Sequence, residues 1–167
     1  MSSVLSISNK LMSFRGRMLI NDDREQALYE ACGEFALFCP TWTLSKQGNI
    51  VATIKSKFWS WSPTWIIKSD FGDFIIKRKL LSWVRNYQVI GGNYDGATII
   101  GNFWDLKFNI SHNGKCLASA KGKIMSIRDT HNIHVHGDDN DELFTTIVMV
   151  ALHLDRKNEQ SSASNSD

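Results

Sequence analysis

Two basic pairs stand out near the middle of the chain: Lys55 with Lys57, and Lys77 with Lys79, with Arg78 and Arg85 beside them. Side chains two apart on a β-strand point to the same face, so each pair projects its ammonium groups together. If the two strands are neighbours, the four groups form a row. Such a row attracts anionic phospholipid head groups, each lysine contributing about 1 kcal/mol close to a charged membrane. The competing reading is a sheet edge guarded by lysines against pairing with other molecules. The segment from Lys55 to Arg85 carries Lys55, Lys57, Lys68, Lys77, Arg78, Lys79 and Arg85 against Asp70 and Asp73. Asp138 to Glu142 is acidic and lacks any base. The molecule is therefore expected to be polarised, with one cationic region. A net charge of +2 over 167 residues is too mild to point to nucleic acid.

The histidines offer a second chemistry. His134 and His136 would share one face of a strand and hold a metal, with Asp138 as a third ligand. The same alternation sets them opposite Ile133 and Val135, where the polar residues of a half-buried strand belong. A solvated face is therefore favoured, His134 and His136 remain weak metal candidates, and no cofactor is expected. Asp138-Asp139-Asp141-Glu142 lacks the glycine and alternating oxygens of a calcium loop. Cys32, Cys39 and Cys116 have no metal spacing, and Cys39 has no local partner to activate it as a nucleophile. Gly91-Gly92 and Gly96 lack the spacing of a phosphate cradle, and no GxSxG or HExxH occurs. No catalytic residue emerges, and a non-catalytic protein is the expectation.

The elements that position these residues show an internal repeat. KLMSFRGRMLI starts at Lys10, KFWSWSPTWII at Lys57, KLLSWVRNYQV at Lys79 and KIMSIRDTHNI at Lys123, at spacings close to multiples of 22 residues. Each reads as a strand, a short turn and a returning strand, with a bulky residue before the return: Met18, Trp65, Tyr87 or His131. A side chain recurring at one place in every copy answers an architectural demand, so the tryptophans of KSKFWSWSPTWII are expected to be mostly core.

Ile50 to Ile54, Phe74 to Ile76, Thr98 to Ile100 and Phe108 to Ile110 are further β-branched or aromatic runs. Gln47-Gly48-Asn49, Gly91-Gly92-Asn93, Asp95-Gly96 and His112-Asn113-Gly114 separate them as turns. About a dozen strands at this density predict an antiparallel barrel or sandwich.

One segment differs. Asp139 is placed to cap a helix with Glu142 three residues on. The LFTTIVMVALHL that follows is apolar on every side, so the helix, near Asp139 to His153, belongs inside the barrel. The apolar run Leu143 to Leu154 falls short of the roughly 20 residues a membrane span needs. Residues 156–167 read as a disordered polar tail. Free cysteines, and an N-terminus without the apolar stretch of a secretion signal, suggest a cytoplasmic location.

The four lysine-serine units, Gly101-Asn102-Phe103-Trp104 with Phe108 and Ile110, Asn113-Gly114-Lys115, Asp129-Thr130 and the segment Asp141 to Asp155 together resemble the LURP-one-related (LOR) family, most closely its small single-domain bacterial branch. The resemblance runs from about Lys10 to Asp155. It implies a fold of the Tubby C-terminal and phospholipid scramblase type, about twelve antiparallel strands around a central hydrophobic helix. Tubby domains bind phosphoinositide head groups through a basic surface. The Tubby lysine-arginine motif and the scramblase calcium loop have no counterpart here, so no functional residue transfers.

The fold expected is thus all-β with one helix: a single Tubby-like barrel over residues 1–155. The leading function is a binding module that engages anionic phospholipid through Lys55, Lys57, Lys77, Arg78, Lys79 and Arg85, peripherally at the inner membrane face. The alternatives are a cytosolic protein-interaction or scaffold protein, and a metal protein using His134 and His136.

Overall fold

Alternation of apolar and polar residues between turn signals produces strands along nearly the whole chain. The computed structural model describes residues 3–10, 16–34, 41–57, 59–102, 107–120 and 131–164. Its strands are β1 (Ser3–Lys10), β2 (Arg17–Asn21), β3 (Ala27–Gly33), β4 (Thr41–Lys46), β5 (Asn49–Ser56) and β6 (Thr64–Ser69). They continue with β7 (Phe74–Arg78), β8 (Asn86–Ile90), β9 (Thr98–Asn102), β10 (Lys107–His112), β11 (Lys115–Ala120) and β12 (His131–Val135), followed by the helix α1 (Asp139–Ser164). Each strand pairs antiparallel with its neighbours in sequence, and β1 pairs with both β2 and β12, so the sheet closes into a barrel. Closure leaves no sheet edge. The edge-guard reading of the lysines is thereby overturned, because β5 and β7 are each paired on both sides.

The tightest hairpins follow from local chemistry. Gln47-Gly48 and Asn113-Gly114 all take positive φ, at 51° and 83° and at 50° and 74°. This is the mirror-image turn whose twist matches that of the flanking strands. Gly101 is required for a different reason: it lies opposite Phe108 across β9 and β10. A Cβ there would run into the Lys107 carbonyl oxygen and Phe108 Cα. Gly101→Ala is expected to cost about 1–3 kcal/mol by forcing the strands apart. An unchanged denaturation midpoint would show that the pair has slack to give.

Inward residues of the strands, among them Leu5, Ile20, Leu44, Ile54, Ile76 and Val89, are fully buried. They surround α1, which from Phe144 to Leu152 is buried on every side, Thr145 and Thr146 included. A helix with no solvated face needs an enclosing wall, and the closed barrel supplies it. The helix start is displaced by one residue from the expected cap. Asp138 Oδ1 accepts from the Asn140 and Asp141 amides at 2.9 and 3.0 Å, and Asp141 Oδ2 accepts from the Asp138 amide at 3.2 Å. The capping pair is therefore Asp138 with Asp141, and Glu142 is left for another use. At the other end α1 continues to Ser164, so residues 156–164 are helical where a disordered tail was expected. Glu159, past the apolar run, gains two arginine partners, which give this polar extension tertiary contacts.

Connections in such a barrel alternate between its two ends. Residues 22–26, 47–48, 70–73, 91–97, 113–114 and 136–138 turn at one end, which also holds the start of α1. Residues 57–63 and 79–85 turn at the other. This geometry explains the period of the repeat: one strand out and one back returns the chain to the same end. Lys10 closes β1, Lys57 follows β5 and Lys79 follows β7, all at the end where α1 finishes. Lys123 and its unit lie outside the described residues as far as residue 130.

Candidate functional site

Lys55, Lys57, Lys77 and Lys79 are all exposed. Lys55 sits opposite Ile66, and Lys77 opposite Thr64. The Lys57 amide donates to the Thr64 carbonyl at 2.9 Å, continuing the β5–β6 ladder past the end of β5. Lys57, Thr64 and Lys77 therefore form one row across three strands. Since neighbouring strands lie about 4.8 Å apart, the backbones of the two lysines stand roughly 10 Å from each other. Lys79 follows one step further out, its amide donating to the Asn86 carbonyl at 2.8 Å. The two lysine strands are thus next-but-one neighbours with β6 between them. Among the described residues, none of these four ammonium groups takes part in an ion pair.

Arg78 and Arg85 are committed elsewhere. Both reach Glu159 of α1, Arg85 at 2.6 Å, and Arg78 also stands 3.6 Å from Asp155. Asp155 is buried and accepts a hydrogen bond of 2.5 Å from the Tyr87 hydroxyl. Burial raises the Asp155 pKa above the ordinary carboxylate value, opposed by the Tyr87 hydrogen bond and by Arg78. Burial, together with the adjacent Asp155 charge, also pushes the Tyr87 phenol up, keeping it a hydrogen-bond donor. Both arginines are thus engaged by the helix, and of the six basic candidates the four lysines are left without an ion-pair partner among the described residues.

The same end carries what the sequence reading missed. Trp65 and Trp42 are core residues, but Trp59, Trp61 and Trp83 are exposed to 88%, 100% and 107%. Leu80, Leu81 and Val84 are exposed beside them. The expectation that the tryptophans are mostly core is therefore corrected. Met18, Trp65 and Tyr87, the bulky residues at the start of returning strands, are buried as expected. The remaining tryptophans of those units sit in the turns, where alternation between faces no longer applies. The signal was present in the repeat itself, whose apolar residues fall in its turn half.

These loops have anchored bases. Thr64 Oγ1 donates to the Ser62 carbonyl at 2.8 Å and lies 3.0 Å from Ser60 Oγ. The Arg78 amide donates to the Pro63 carbonyl at 3.0 Å, tying the β5–β6 connection to the start of the β7–β8 connection. Phe58 lies outside the described residues.

The opposite end is acidic. Its turns carry Asp22, Asp23, Glu25, Asp70, Asp73, Asp95 and Asp138 against Arg24 and His136. There the helix start is fastened by tyrosines: Tyr94 donates to Asp141 at 2.8 Å, and Tyr29 to Glu142 at 3.0 Å. Lys46 stands 3.4 Å from Glu142 and over the Tyr29 ring, 4.9 Å from its centroid. The expected polarity of the molecule thus runs along the barrel axis.

His134 and His136 are exposed on the outward face, with Ile133 and Val135 turned inward. His136 Nε2 lies 3.3 Å from Ser119 Oγ, and Asp138 Oδ1 is occupied in capping. No group of three metal-ligating side chains occurs among the described residues. Cys32 and Cys116 are exposed free thiols, and Cys39 lies outside the described residues. Among the described residues no helix is long and apolar enough to cross a membrane.

No match was found among curated proteins or among solved structures. The family model described as LURP-one-related matches residues 3–153, which takes in strands β1 to β12 and most of the buried part of the helix. With nearly the whole barrel inside that match, the chain belongs to the LURP-one-related family.

Proposed function

We propose that this protein is a non-catalytic module that docks reversibly on anionic phospholipid surfaces, acting peripherally from the cytoplasmic side. The observation that carries this reading is the face formed by Lys55, Lys57, Lys77 and Lys79. Its four ammonium groups are solvent-exposed and lack ion-pair partners among the described residues. Lys55 and Lys77 lie on strands with no edge to guard, and Lys57 and Lys79 directly follow those strands. The acidic turns at the far end add an axial field that turns the lysine end toward a negative surface.

The test is co-sedimentation of the purified protein with neutral and with phosphatidylserine-containing vesicles over a salt series. Binding is expected to the anionic vesicles, falling steeply as salt rises. Lys57→Glu with Lys79→Glu reverses two charges. At about 1 kcal/mol per basic charge near the surface, affinity should fall on the order of a hundredfold or more. Absence of binding at low salt would remove the lipid reading.

A further inference from the structure

The exposed apolar side chains at the lysine end lie outside the barrel core. Trp59 and Trp61 project from one connection, and Leu80, Leu81, Trp83 and Val84 from the adjacent one. An aromatic side chain of this size buries about 150–250 Å² when covered, so the tryptophans alone offer on the order of 600 Å². That equals or exceeds the largest apolar patch of an ordinary monomer. The two connections contain no carboxylate and are flanked by Lys57, Lys79 and Arg85.

We propose that these two loops form a membrane-penetrating tip, immersing Trp59, Trp61, Leu80, Leu81, Trp83 and Val84 in the interfacial layer of an anionic bilayer. The proposal deepens the lipid reading above and rests on it for the choice of lipid charge. Three features favour a bilayer over a protein surface. The apolar groups sit on exposed loops at one end of the barrel, which enter a fluid more readily than they fill a groove. Lysines border them, and lysine is depleted at protein–protein interfaces yet attracted to anionic leaflets. Three of the six are tryptophan, the residue whose amphipathic ring concentrates at the membrane–water boundary.

The depth follows from chain length. Each connection spans seven residues, 57–63 and 79–85. Half of such a loop reaches at most roughly 10 Å. That matches the approximately 5–10 Å immersion of interfacial elements. Irregular backbone cannot go deeper without losing water as a hydrogen-bond partner. The lysines on the adjoining strand ends are then level with the head groups.

The experiment mixes the full-length protein with vesicles of phosphatidylcholine and phosphatidylserine, plain or brominated at a shallow acyl position, and records tryptophan emission. Blue-shifted emission and quenching by the brominated lipid are expected, with buried Trp42 and Trp65 unresponsive. Trp59→Ser/Trp61→Ser/Trp83→Ser alters only exposed positions. It should keep the wild-type melting temperature, lose the shift and most of the quenching, and bind at least about tenfold more weakly from the lost apolar burial. Salt-sensitive vesicle binding without shift or quenching overturns the tip and leaves the head-group reading standing. Quenching by neutral vesicles at high salt supports the tip and removes the head-group reading. No association with any vesicle overturns both. Self-association of the wild type that the triple variant abolishes, again without quenching, would assign the loops to a second copy of the chain instead.

Discussion

Phe144→Ala is expected to lower stability by about 3–5 kcal/mol, the upper range for removing a buried aromatic ring. Phe144 is fully buried in the first turns of α1. Its ring stacks on Tyr94 with centroids 4.0 Å apart and an interplanar angle of 8°. Phe74 and Phe71 close the cluster at 5.6 and 6.4 Å. The cost of such a deletion depends on how far the surroundings collapse into the space left behind. Here they collapse little, since twelve hydrogen-bonded strands fix the girth of the barrel. The helix is held at both ends by tyrosine–carboxylate contacts and cannot slide to fill the gap. In a chain of this length the loss corresponds to a fall in melting temperature of about 10 °C or more. A loss below about 1 kcal/mol would show that the helix is only loosely enclosed, contrary to its all-round burial.

The second large effect concerns Asp155. Asp155→Ala removes the acceptor of the Tyr87 hydroxyl and one of the two carboxylates facing Arg78. Leaving a buried hydroxyl without a partner and weakening a half-buried ion cluster should together cost about 2–4 kcal/mol. Asp155→Asn retains an acceptor for Tyr87 and should cost less. Its main signature is in the pH dependence. Burial raises the folded-state pKa of Asp155, so the folded chain holds this proton more tightly than the unfolded chain does. The group's contribution is therefore fully present below the ordinary carboxylate pKa and is lost as pH rises through the raised value. Urea melts of wild type and Asp155→Asn from about pH 4 to about pH 8 should show the variant gaining on the wild type as pH rises. A difference independent of pH would mean that Tyr87 and Arg78 cancel the effect of burial.

The same cluster explains why two of the six basic candidates are not available to a ligand. Arg78 and Arg85 stand beside the lysines in sequence, and charge counting treats all of them alike. Their side chains turn toward Glu159, 81 and 74 residues away along the chain. Asp155 and Glu159, carried side by side on the helix, are a strong reason for cations to gather there. That reason exists only once the helix has been threaded through the barrel.

Much was settled by the sequence on its own. Period-two alternation determined the strands and which side chains face inward, because the pleat assigns faces locally. The all-apolar surface from Leu143 to Leu154 determined a buried helix, since no solvated stripe was left to it. The 22-residue repeat recorded strand pairs returning to one end, although its turn half was read as core. Tertiary structure alone decided the rest. Pairing of β5 and of β7 on both sides left the lysines no edge to guard. Interposed β6 set the spacing of the lysine row, and Trp65 and Trp61, four residues apart, were divided between core and solvent. Inside a strand a side chain's surroundings follow from its parity; in a turn, or for a charge seeking a partner, they follow from which distant segments the closed barrel brings alongside.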